Sequence, residues 1–174
     1  MKKTLEVIHQ MRASGVIGKY AIGGAVGATF YLEPTPTFDI DVFIPFAKEN
    51  SPLISLGPIY EYLAAHGYKP EKEHLLIEGW AVQFLPAEGP LEKEALDQAI
   101  QTEVDELPVS VMRAEHLMAM ALRIGRPKDF IRLTQFVAEK VYHADTLTAI
   151  LKRHGLTERW KAFSQKYLSP LPEK

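Results

Sequence analysis

The sequence predicts an α+β fold: a short mixed β-sheet flanked by helices, followed by a helical C-terminal segment. Three observations carry that expectation. Short apolar runs with strand periodicity alternate with helical stripes up to about residue 112. Two pairs of strand candidates stand at hairpin spacing. Beyond Ala114 only helical patterns remain, so the chain divides into an α+β half (1–112), a helical half packed on it (113–168) and a flexible tail (169–174).

Each element follows from a local signal. Leu5, Ile8 and Met11 fall at helical spacing, and Gly15 and Gly18 end that helix. Residues 20–22 form a short apolar strand closed by Gly23-Gly24, and residues 25–32 read as a helix broken by Pro34 and Pro36. A strand over 39–44 stops at Pro45. Residues 58–65 form a helix with Ile59, Tyr62 and Leu63 inward, closed by His66-Gly67. Strands at 74–77 and 80–85 flank Glu78-Gly79, a pair suited to a tight turn. A charged helix covers 91–99, and 101–104 with 109–112 form a second hairpin. Leu117, Met120, Ala121 and Ile124 make the first stripe of the helical half. Pro127 opens the next helix, whose inner face is Phe130, Leu133, Thr134 and Val137. Asp145 is the expected N-cap of a helix over 146–154, Gly155 its stop, and Thr157 the cap of a last helix through 167.

Composition narrows the function classes. A chain of 174 residues is about one domain and long enough to bury a sizeable core. The net charge of -2 argues against nucleic-acid binding through overall charge, leaving only a local basic patch. With no cysteine, disulfides, thiolate–zinc sites and cysteine nucleophiles are excluded. The N-terminus lacks the apolar stretch of a signal peptide, and no run approaches the ~20 apolar residues of a membrane helix. The expectation is a cytoplasmic protein with no membrane partner.

The chemistry centres on Asp39-Ile40-Asp41, where i and i+2 side chains point the same way from a strand. Two such carboxylates suit Mg²⁺ or Mn²⁺, hard ions that share oxygen ligands with substrate phosphates. Gly23 and Gly24 allow close backbone approach to phosphates, and the following helix start offers unpaired N–H groups. Each piece alone also reads blandly, as a solvent-facing strand edge and an ordinary turn; together and in this order they favour a metal-bound triphosphate site. Arg126, Lys128 and Asp129 have two readings: contacts to nucleotide phosphates or a polynucleotide, or a helix start with Asp129 at the positive end and two solvated bases. The six histidines show no metal-ligand spacing, and neither a dinucleotide fingerprint nor a P-loop is present.

Ile22-Gly23-Gly24, a helix, then Asp39-Ile40-Asp41-Val42 resembles the signature of the DNA polymerase β-like nucleotidyltransferase superfamily. Fourteen residues separate Gly24 from Asp39, slightly more than the usual spacer. Residues 115–129 are similar to the helix and Arg-Pro-Lys-Asp segment of small bacterial nucleotidyltransferases, including the abortive-infection toxin branch. The resemblance implies a minimal nucleotidyltransferase fold with Asp39 and Asp41 as catalytic metal ligands. It also implies Gly23 and Gly24 as the phosphate-binding turn, a nucleoside triphosphate as substrate, and a hydroxyl on protein or RNA as acceptor; Arg126 and Lys128 are candidates for the phosphates under the first of their two readings. Two positions depart from the pattern. The third carboxylate, ligand or general base in the family, falls at Gln83, which cannot take a proton at neutral pH. The lysine of the toxin branch falls at Ala121. Glu78 and Glu88 are the acids to consider as stand-ins. Two functions follow: Mg-dependent nucleotidyl transfer, or a catalytically degenerate relative that binds a nucleotide, an RNA or a protein.

Overall fold

The computed structural model describes residues 1–34, 36–37, 39–45, 56–71 and 74–168; the expected tail lies outside them. The elements run α1 (Lys2–Ala13), β1 (Ala21–Ile22), α2 (Gly24–Ala28), β2 (Asp39–Pro45), α3 (Gly57–Ala65), β3 (Pro70–Glu71), β4 (His74–Ile77) and β5 (Trp80–Ala87). There follow α4 (Pro90–Asp97), β6 (Ile100–Val104), β7 (Leu107–Val111), α5 (Ala114–Ile124), α6 (Pro127–Glu139), α7 (Ala144–Arg153) and α8 (Thr157–Tyr167). The seven strands form one mixed sheet ordered β3-β4-β5-β2-β1-β7-β6. β2 pairs parallel with β5 and β1 parallel with β7; the remaining neighbours are antiparallel. Both predicted hairpins form. Their central residues all have positive φ (Glu78 51°, Gly79 82°, Asp105 49°, Glu106 69°), the turn that matches the right-handed strand twist.

The sheet is packed on both faces. Ile40, Val42 and Ile44 of β2 join Leu5, Ile8 and Met11 of α1 and Ile59 and Leu63 of α3 in one core. Phe43 points the other way, into a second core built with α4 and the C-terminal helices. Helix α5 lies inside that second core and is buried from Ala114 to Leu122, Glu115 and His116 included. Its expected apolar stripe is therefore one side of a helix enclosed all round. No helix among the described residues is long and apolar enough to cross a membrane.

Three local expectations are corrected. Helix α2 stops at Ala28 instead of reaching 32: the Thr29 hydroxyl donates to the Val26 carbonyl at 2.7 Å, and Tyr31 N–H bonds Ala28 O three residues back at 3.0 Å. The backbone tightens into short-range turns there. Asp145 is not the cap of α7, which begins at Ala144 after His143. Buried Glu115 accepts the His143 N–H at 2.7 Å, so a carboxylate from α5 fixes that helix start from outside. Thr157 is the first residue of α8, not its cap. Gly155, in the left-handed region at φ 66°, closes α7 while Leu156 N–H reaches back to Leu151 O at 2.8 Å; Leu156 then starts α8 directly.

A charge clasp ties the two halves together. Glu94 of α4 accepts hydrogen bonds from Arg153 (2.5 Å), His154 (2.7 Å) and His116 (3.3 Å), and Arg123 of α5 pairs with Glu92. Arg153 above all, with the two histidines, holds the Glu94 carboxyl down at about 2 against the opposing effect of burial. The stability that this lowered value supplies is complete above the ordinary glutamate value of 4.5 and is lost as pH falls toward about 2. Glu94→Gln is expected to cost about 1–2 kcal/mol, the half-exposed Arg153 limb being screened by solvent. The variant should melt a few degrees lower at pH 7 and lose part of the wild type's acid-side slope in a pH–melting series. An unchanged slope would exclude Glu94 as its source.

Candidate functional site

The alternation that sends Ile40, Val42 and Ile44 into the first core sends Asp39 and Asp41 to the opposite face of β2. There they line a cavity of about 470 Å³. Thr37 donates to Asp39 Oδ1 at 2.9 Å and orients it. The parallel register sets Gln83 of β5 abreast of Asp41, and Gln83 lies on the same wall. The opposite wall is one face of α6: Lys128, Ile131, Arg132 and Gln135, at i, i+3, i+4 and i+7, together with Arg126 at the helix start.

Of the residues singled out from sequence, the fold brings Gly24, Asp39, Asp41, Gln83, Arg126 and Lys128 to this one cavity. Gly23 stands behind it. Its N–H bonds the Asp41 carbonyl at 2.9 Å, and a Cβ there would strike the Phe43 ring, so it holds β1 against β2. Gly24 meets the cavity in the left-handed region, at φ 58°, with the Asp41 carboxylate seated where a Cβ would project. Gly24→Ala is accordingly expected to cost about 1–2 kcal/mol in backbone strain and to push Asp41 out of place. Melting temperature and divalent-ion titration would read the two effects separately. An alanine variant that binds metal like the wild type would show that the seat is not needed.

Arg132, Ile131 and Gln135 also line the cavity, and no motif in the sequence singles them out. The signal was present as the complement of the inner face of α6, where Lys128, Arg132 and Gln135 share a helical stripe. Asp129 proves to be a capping residue. It accepts from Arg126 N–H at 3.1 Å and from the Arg126 guanidinium at 2.8 and 3.2 Å, and lies 3.6 Å from Arg132. The Arg126–Asp129 pair thus both starts α6 and fixes a cation on the cavity rim.

Electrostatics set the working state of the pair. Burial, then the neighbouring Asp39, raises the Asp41 pKa above its ordinary value, while Arg126, Lys128 and Arg132 pull it back. Burial lowers the Arg132 pKa against the pull of Asp129, and the bond to Asp129 raises that of Arg126. Two carboxylates face three cations across the cavity, so its charge is divided between an anionic and a cationic wall. The donor set fits Mg²⁺ or Mn²⁺: Asp39 and Asp41 offer hard anionic oxygens and Gln83 a neutral one. Among the described residues, no third acid lines the cavity. Glu78 accepts from the Tyr68 hydroxyl at 2.8 Å on the β4–β5 turn, and neither it nor Glu88 lines the cavity. Among the described residues, no group of three or more histidines, aspartates or glutamates is placed to hold a metal. Ala121 lies deeper, on the wall of an adjoining recess.

No family model and no curated protein matches the sequence. Solved structures do. An antigenic nucleotidyltransferase-like protein from Paracoccidioides brasiliensis superposes with a TM-score of 0.57 at 14% identity, over 91% of this chain and 90% of that one. The crystal structure of ANT(2")-Ia with adenylyl-2"-tobramycin gives 0.54 at 14% identity, over 90% and 98%. The solution structure of the antibiotic-resistance factor ANT(2'')-Ia gives 0.52 at 14% identity, over 94% and 96%. At this identity the likeness is one of fold: the architecture is that of the nucleotidyltransferases.

Proposed function

We propose that this chain, built on a nucleotidyltransferase fold, binds a nucleoside triphosphate with Mg²⁺ or Mn²⁺ in the cavity between β2 and α6. The observation that supports this most is the convergence of Asp39 and Asp41 with Arg126, Lys128 and Arg132 on one cavity. Asp39 and Asp41 would hold the ion, which would supply charge neutralisation at the phosphates. The three cations would fix the remaining phosphate oxygens, and Gly24 keeps the backbone out of the way of Asp41.

Transfer to a hydroxyl on protein or RNA would need a group to take the hydroxyl proton. Gln83 stands nearest to Asp41 in register and has no basic oxygen at neutral pH. Asp129 is engaged by Arg126 and Arg132. Nucleotide binding is therefore better supported than efficient transfer to a neutral hydroxyl. That same position favours the second reading, a binding module for nucleotide, RNA or protein. The likeness to the toxin branch rests on residues 115–129 and the Gly-Gly and Asp-x-Asp signature. The test is direct: melting temperature with and without Mg²⁺, for each of the common triphosphates in turn. No shift with any of them would overturn nucleotide binding.

A further inference from the structure

We infer that the site takes, beside the nucleotide, a small amphiphilic anion: a carboxylate or phosphate monoester on a short apolar body. The body would enter the recess behind Asp41 and the anion would face Arg126, Arg132 and Gln83. The anion's role as acceptor rests on the nucleotide-binding reading above; its binding does not.

The recess, of about 200 Å³, opens from the main cavity and shares Gly24, Asp41, Gln83, Arg126 and Arg132 with it. Past that boundary it is walled by Leu117, Met120, Ala121 and Ile124 from one face of α5, and by Phe43 and Leu85 from the sheet. The one further polar side chain on the recess is Asp129, whose two oxygens already accept from Arg126, so a nucleobase placed there would find few free partners for its polar edge. An alkyl body has no such requirement. At the boundary, a guanidinium has five N–H donors, and Asp129 uses two from Arg126 and approaches Arg132 only at 3.6 Å. Donors therefore remain on both guanidiniums for an oxyanion placed at the boundary, on the side of the recess away from Asp129.

Gln83 gives this ligand a chemical rationale. An ionised carboxylate or phosphate oxygen needs no proton removed before it attacks. It would form a new bond to the α-phosphorus as the bond from that phosphorus to its bridging oxygen breaks. Pyrophosphate would leave with the electron pair, and the product would be an acyl or phosphoryl nucleotide anhydride. A site with an amide at the position of a general base can serve that acceptor class.

The test titrates hexanoate, hexyl phosphate, hexanol and hexylamine into the full chain by ligand-observed NMR. It is run with and without Mg²⁺ and the triphosphate that gives the largest thermal shift, and pyrophosphate is followed in parallel. One or both anions should bind about tenfold or more tightly than the alcohol and the amine, and acetate should bind more weakly than hexanoate. The two anions compared with each other identify the head group. Ala121→Phe should fill the recess and abolish anion binding while the nucleotide shift persists. Should that variant fail to fold, half-exposed Ile124 gives a milder one, and Ile124→Glu should weaken anion binding about tenfold. Hexanol binding as well as both anions, or unchanged hexanoate and hexyl phosphate binding in the folded variants, would overturn the inference whether or not nucleotide binds. Anion binding with no nucleotide shift would instead overturn the nucleotide reading and leave the recess as an anion site.

Discussion

Replacing Asp39 and Asp41 together by asparagine is expected to abolish stabilisation by Mg²⁺ and nucleoside triphosphate. For the wild type at about one hundred times the dissociation constant, linkage gives about 2.7 kcal/mol, or about 5–10 °C in melting temperature for a chain of this size. The variant should show no shift. Without ligand it should melt slightly higher than the wild type. The sign follows from Asp41, whose pKa is raised in the folded state by burial and by Asp39. A raised carboxylate pKa means that ionisation at neutral pH costs the folded state more than the unfolded one. Removing that charge relieves the cost, so the ligand-free protein gains what the ligand-binding protein loses. A variant that melts lower and still responds to nucleotide would contradict both halves of the argument.

The second large effect is a gain. Gln83→Glu keeps the shape of the side chain and places a basic oxygen abreast of Asp41. Divalent-ion affinity should rise, because a third anionic ligand joins the pair. Pyrophosphate release to water or a hydroxyl acceptor should increase about 10²–10⁴-fold, the usual contribution of a positioned general base. The same change should weaken hexanoate and hexyl phosphate, whose anions would then face a carboxylate. Steady-state pyrophosphate assays on the wild type and the variant, matched for nucleotide occupancy, would read this. Equal rates at full occupancy would place the limit elsewhere than at this position.

Much of this arrangement is legible in the chain, and the parts that are not have physical reasons. Asp39 and Asp41 share a face because strand periodicity requires it, and the glycine pair precedes them as the signature does. Gln83 as the partner of Asp41 follows from β5 pairing parallel with β2. Arg132 was hidden because its importance lies in which side of α6 meets the sheet, a tertiary fact. Gly23 sits one layer behind the phosphate-facing position expected of it, since sequence alone does not separate the glycine that packs on Phe43 from the one that seats Asp41. The starts of α7 and α8 were misplaced for a similar reason. Glu115 reaches in from another helix at one, and the closing turn of α7 supplies the other. Capping rules look for a local side chain, and here the partner is distant or is backbone.

The parallel register of β2 and β5 aligns seven residue pairs, Asp39 with Ala81 through Pro45 with Ala87, and Asp41 with Gln83 is the third of them. Glutamine and glutamate codons differ by one base. The mutational distance from this site to one with three carboxylates is thus a single nucleotide, with no insertion, no shift of strand pairing and no new loop. On the reading proposed above, that one register position would select between an acceptor that is already ionised and one whose proton must be removed.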